Sequence, residues 1–99
     1  MPKELSGILR NDEFTGFQKA VYRAVCAIPR GEVRSYRWVA KRAGSPDAYR
    51  ACGNALNRNP LPGVIPCHRV IRQDRTIGAF SKGVKAKRKL LRSEGIDWL

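Results

Sequence analysis

Three prolines fall within the eight residues from Asn59 to Pro66, and neither an unbroken helix nor a central strand can run through them. Each lacks a backbone N–H and fixes its own φ, and Pro66 also drives Ile65 out of helical space. The stretch divides the chain into an upstream part with apolar residues at helical spacing and a downstream part with short β-prone pieces and one further helix. At 99 residues there is room for a single core, so both parts must pack into one domain.

Upstream, Thr15 and Gln18 form a capping box, and Phe17, Val21, Val25 and Ile28 recur on one helical face until Pro29 and Gly31 end it. "SYRWVAKRAG" predicts a second helix with Ser35 as N-cap, Val39 buried and Gly44 as the stop. "SPDAYRACGNALNRNP" predicts a third, with Ser45 as N-cap, Pro46 at the first helical position, and Ala51, Ala55 and Leu56 facing inward. A helix pair joined through Gly44 makes a helix-turn-helix. Downstream, "RVIRQDRTIGAF" reads as a β-hairpin around Gln73–Arg75. A last helix is expected from Val84 to Glu94, with Ala86, Leu90 and Leu91 apolar and Lys85, Lys87, Arg88, Lys89 and Arg92 elsewhere, read as a solvated basic face in preference to a direct DNA contact. The first dozen residues have weak periodicity and are expected to be an extended or partly ordered lead. The fold class is therefore mainly α, a small winged helix-turn-helix-like domain with a short β-hairpin.

Lys and Arg number 20 against 8 Asp and Glu, a net charge of +12. Such a field attracts polyanions, nucleic acid first among them. No apolar run approaches the ~20 residues of a spanning helix and no signal peptide opens the chain, so a soluble, intracellular protein without a membrane partner is expected. Three cysteines, Cys26, Cys52 and Cys67, are odd in number and lack zinc-ligand spacing, which implies neither a disulfide framework nor a metal. Cys26 and Cys52 read as core packing. Cys67 differs because it adjoins His68, the only histidine. A thiol attacks as its thiolate, and an imidazole can take the proton, provided a turn brings together side chains that an extended strand would point apart.

"PCHRV", Pro66 to Val70, resembles the active-site signature of the O6-alkylguanine-DNA alkyltransferases. "GEVRSYRWVA" is similar to that family's segment before the helix-turn-helix, "YRACGNALNRNP" to its recognition helix, and "LLRSEG" to the close of its last helix, so the likeness spans Phe14 to Gly95. The resemblance implies residues 1–13 as a lead and 14–99 as the DNA-binding and active-site domain of a monomer, cytoplasmic or nucleoid-associated, needing no cofactor. Its partner would be double-stranded DNA containing O6-alkylguanine. Cys67 would take the alkyl group irreversibly, His68 relay the thiol proton through water, Glu94 hold the imidazole, and Tyr36 serve the departing guanine. Asn59 would brace the active-site turn, the Val70 carbonyl would meet the exocyclic amine, the Ser81 N–H would face O6, and Phe80 would line the pocket wall. Arg50 would enter the base stack in place of the flipped nucleotide, with Ala51, Gly53 and Arg58 also at the DNA.

Phe80 stands where many relatives carry tyrosine or tryptophan, and Lys82 where glycine is common. The short lead resembles the alkyltransferase-like proteins, which recognise alkylated guanine without repairing it and usually have tryptophan or alanine in place of Cys67. The cysteine favours transfer. The alternatives are a non-catalytic lesion sensor that recruits another repair pathway, and an ordinary winged-helix DNA-binding protein with a structural Cys-His pair.

Overall fold

A computed structural model of the chain describes residues 3–61 and 63–99. Met1 and Pro2, at the start of the expected lead, and Pro62, the middle proline of the triplet, lie outside the described residues. The elements are α1 (Leu5–Leu9), α2 (Gly16–Cys26), β1 (Arg34–Ser35), α3 (Tyr36–Arg42), α4 (Tyr49–Asn57), a single 3₁₀ turn (Cys67–Arg69), β2 (Val70–Ile71) and α5 (Val84–Ser93).

α2 starts where the capping box places it, with the Gln18 N–H donating to Thr15 Oγ1 and the Thr15 N–H to Gln18 Oε1. Its Val21, Tyr22, Val25 and following Ile28 are buried against α3 and α4. Ser35 caps α3 by accepting from the Trp38 N–H at 3.0 Å. Gly44, at φ +86°, ends it in a Schellman arrangement: the Ser45 N–H donates to the Ala40 carbonyl and the Gly44 N–H to that of Lys41.

Within the lead, residues 5–9 form a helical turn that buries Leu5 completely, the ordered one of its two alternatives. Three expectations need correction. Ser45 does not cap α4; its carbonyl accepts from the Ala48 N–H at 2.9 Å, closing a turn in which Pro46 supplies the preset φ, and the helix begins only at Tyr49. Ala51 is exposed, and Cys52, with Ala55 and Leu56, faces the core. The hairpin exists only as a reverse turn, with the Arg72 N–H donating to the Thr76 carbonyl, while the two-residue sheet pairs β2 with β1 in parallel, Arg34 opposite Val70 and Ser35 opposite Ile71. On α5, Leu90 is 40% exposed and Lys87 is fully buried, the reverse of their expected placement.

Tyr22 ties the helix-turn-helix to α2. Its ring is fully buried, edge-on to Phe14 at 6.0 Å, and its hydroxyl donates to the Ala55 carbonyl at 2.9 Å. Tyr22→Phe keeps the packing and removes that bond, so denaturant unfolding should show a loss of about 1 kcal/mol. A change within error would mean that the bond does not hold α4 in place.

Candidate active site

One amide ties the chain between α4 and the 3₁₀ turn. Asn59, just past α4, accepts from the Leu61 N–H through Oδ1 at 2.8 Å. Its Nδ2 donates to the Ile65 carbonyl at 2.9 Å and to Cys67 Sγ at 3.3 Å. With oxygen and nitrogen both committed, the amide has one orientation, and one of its N–H groups faces the sulfur. A 3₁₀ turn follows, in which Cys67, His68 and Arg69 are all partly buried.

Glu94 is delivered by the end of α5. Gly95, at φ +87°, and Ile96, buried, form a second Schellman closure in which the Ile96 N–H donates to the Leu91 carbonyl and the Gly95 N–H to that of Arg92. This fixes Glu94 as the C-cap. Its Oε2 lies 2.9 Å from His68 Nε2, with side-chain exposures of 8% and 12%. Arg69 grips the same carboxylate with Nε to Oε1 and Nη2 to Oε2, both 2.9 Å, while its Nη1 donates to the Ile28 carbonyl. The hydrogen bonds from Arg69 and then from His68 hold the Glu94 carboxyl down at about 2, against the cost of burial. An ionised carboxylate only accepts, so neutral His68 carries its proton on Nε2 and its lone pair on Nδ1.

Tyr36 opens α3, and its hydroxyl donates to the Ala79 carbonyl at 3.3 Å. Burial raises its phenol further above the neutral range, which keeps it a donor. Gly78 makes that position possible: at φ +75°, a Cβ there would lie 3.3 Å from the Tyr36 ring and 3.4 Å from its hydroxyl. The fully buried Lys87 reaches from α5 to the Val70 carbonyl at 2.7 Å and the Ala79 carbonyl at 3.1 Å, with the Tyr36 ring centroid 5.8 Å away. Burial lowers its ammonium to about 8.

Cys67, His68, Glu94, Asn59, Phe80 and Ser81 share one concavity of about 610 Å³, whose rim includes Lys82. Tyr36 and Gly53 line a second, of about 500 Å³, bounded by Arg37, Tyr49 and the Arg72–Asp74 turn. Ala79 lines the second concavity and Phe80 the first, so that loop joins them. Val70 is buried and lines neither. Arg50, Ala51 and Arg58 are exposed on or just beyond α4, outside both. Cys52 is fully buried, with its thiol pushed up to about 12, but Cys26 is only partly buried and lines the Cys67 concavity. Among the described residues no group of three or more His, Cys, Asp or Glu could hold a metal. Sequence reasoning missed Arg69 and Lys87: the first was visible as a neighbour of His68, whereas the second was hidden among the cations of α5.

The fold and these side chains define a helix-turn-helix domain bearing a cysteine beside a buried histidine–glutamate pair. The family described as "6-O-methylguanine DNA methyltransferase, DNA binding domain" matches residues 16–96, and the chain belongs to it. The chain is 49% identical over 82 residues to a methylated-DNA–protein-cysteine methyltransferase of Methanosarcina barkeri, covering 83% of this chain and 52% of that relative. A Haemophilus influenzae protein of the same name is 42% identical over 94 residues, covering 95% and 52%. The chain thus spans about half the length of these curated relatives. Among solved structures, Mycobacterium tuberculosis OGT in complex with DNA superposes with a TM-score of 0.80 at 41% identity, covering 83% of this chain and 50% of that one. S. pombe Atl1 in complex with damaged DNA containing O6-carboxymethylguanine gives 0.71 at 37% identity, covering 87% and 79%.

Proposed function

We propose that this chain repairs double-stranded DNA by moving an alkyl group from O6 of guanine onto Cys67, once per molecule. The observation that carries the reading is the Asn59 amide aimed at Cys67 Sγ on the same turn that holds His68 against the ionised Glu94. His68 Nδ1 takes the thiol proton, through water, and the imidazolium formed is stabilised by Glu94. Sulfur attacks the alkyl carbon, a C–S bond forms, and the C–O bond breaks with its electron pair going to guanine. Tyr36 turns its hydroxyl from Ala79 to the departing base and offsets the developing charge. Phe80 forms the pocket wall, the Ser81 N–H faces O6, and the Val70 carbonyl receives the exocyclic amine.

The target lies inside a duplex, so the nucleotide is flipped, at a cost of a few kcal/mol in lost stacking. Arg50 fills the vacated stack from the minor groove, Ala51 and Gly53 allow close approach, and Arg58 meets the backbone. Residues 14–99 form the DNA-binding and active-site domain, preceded by the 1–13 lead. The protein acts as a monomer in the cytoplasm or on the nucleoid; no helix among the described residues is long and apolar enough to cross a membrane.

The likeness to Atl1, of which this chain covers 79%, favours a second reading, a lesion sensor that binds without transfer. Intact-mass measurement after exposure to excess O6-methylguanine duplex separates the two. Gain of one methylene per chain is expected; tight lesion binding with no gain over hours would give the sensor its place.

A further inference from the structure

The outer side of α5 carries a feature that the proposed chemistry does not use. Lys85, Arg88, Lys89 and Arg92 fall at i, i+3, i+4 and i+7, one face of the helix, and together line a shallow concavity of about 370 Å³. Lys85, Lys89 and Arg92 are exposed and Arg88 is partly buried, its Nε donating to the Leu99 carbonyl at 2.8 Å. None of the four enters the ion pairs found among the described residues, which join Arg34 to Glu32 and both His68 and Arg69 to Glu94.

That arrangement works against the helix. Four like-charged pairs sit at i,i+3 or i,i+4 separations, each destabilising. Lys85 lies in the first turn, where the helix dipole disfavours a cation, and that turn holds no acid. A polyanion laid along the stripe would relieve all of this. From Lys85 to Arg92 the stripe runs roughly 10 Å, the axial reach of about three phosphates of one DNA strand. Among the described residues no aromatic or apolar side chain lines the concavity, which suits a phosphodiester backbone better than a peptide needing apolar anchors.

We propose that the Lys85–Arg88–Lys89–Arg92 stripe is a second contact to the DNA phosphate backbone, apart from the lesion-reading surface of α4. The inference rests on the DNA-repair reading above. The two surfaces belong to different parts of the fold, α4 packing on α2 and α3 and α5 on the Cys67–Arg69 turn. Because Glu94 caps α5, a backbone docked on the stripe also loads the helix that positions the site.

The test compares the full chain with the K85Q/K89Q/R92Q variant, which leaves the Arg88–Leu99 bond intact. Affinity for unmodified duplex is measured against salt, alongside alkyl transfer from free O6-benzylguanine and binding to vesicles of phosphatidylserine and phosphatidylcholine. The wild type should show a log–log slope of about −4 to −5, and the variant a slope shallower by about 2 to 3, one unit per lost phosphate contact. Free-base transfer should not change. An unchanged slope, or a loss confined to vesicle binding, overturns the second contact. A wild type that neither binds duplex nor gains mass overturns the repair reading instead. Should the triple variant unfold, K85Q/K89Q, whose lysines make no hydrogen bond among the described residues, should still flatten the slope by about 2.

Discussion

Cys67→Ser should gain no mass from O6-methylguanine duplex and should still bind it in preference to unmodified duplex. A serine hydroxyl stays protonated where a thiol can be ionised, so the nucleophile is lost while volume and shape are nearly kept. The Asn59 Nδ2 donor that faces Sγ can face Oγ equally well, and Ile65, also held by Asn59, stays where it is. Tyr36, Phe80 and Ser81 still define the concavities, so lesion preference survives and the variant behaves as a sensor. In the wild type the single modification should map to a peptide containing Cys67. Cys52 is excluded by full burial and a thiol near 12. Cys26 is the sharper control because it lines the same concavity; burial raises its thiol and leaves it protonated. Methyl on Cys26 at a rate matching Cys67 would sink the assignment of a dedicated nucleophile.

Glu94→Gln should slow transfer by roughly 100- to 10,000-fold, the usual worth of general-base assistance, because the His68 imidazolium loses its counter-charge. It should also cost stability. Glu94 has a folded pKa of about 2 against an ordinary 4.5, so it is depressed. A depressed carboxyl contributes stability that is fully present above its unfolded pKa and lost as pH falls through the folded value. The window is therefore about pH 4.5 down to 2, and a displacement of that size corresponds to about 3 kcal/mol. The substitution removes the charge opposite the half-buried Arg69, whose Nη1 is already committed to Ile28, and a loss of similar size is expected for breaking such a pair. Urea unfolding at pH 7 and at pH 3 reads this directly: the wild type should lose much of its advantage over the variant at the lower pH. A constant difference would place the stabilising charge elsewhere. Combining Glu94→Gln with His68→Ala should slow transfer little beyond the worse single change, since residues acting as a unit are not additive.

Local chemistry decided the elements that the residues announce. The Thr15–Gln18 box, the Ser35 cap and the Gly44 stop are short-range hydrogen-bond and φ requirements, and each stands where its residues put it. Where two local solutions compete, the residues alone were insufficient. "SPDA" satisfies a helix cap or a β-turn, and the turn prevailed, starting α4 at Tyr49. β-prone "RVI" fits a hairpin or a parallel partner, and β1 arriving beside Val70 chose the second.

Cys67 and His68 stood out because the chain's one histidine adjoins a cysteine, and the family likeness attached Glu94, Tyr36 and Asn59 to them. What the sequence by itself determined is where α2 and α3 begin, the stop at Gly44 and the excess of positive charge. Only the tertiary structure decided that Asn59 faces Sγ, that Arg69 shares Glu94 with His68, and that Lys87 leaves the basic face of α5 to bind the Val70 and Ala79 carbonyls. Those contacts span 8 to 26 residues and depend on which face of each element meets another, a matter of packing that local periodicity does not encode. Lys87 shows the reason most plainly: an ammonium is buried only where carbonyls replace its water, and those carbonyls come from two segments that meet only when the chain has folded.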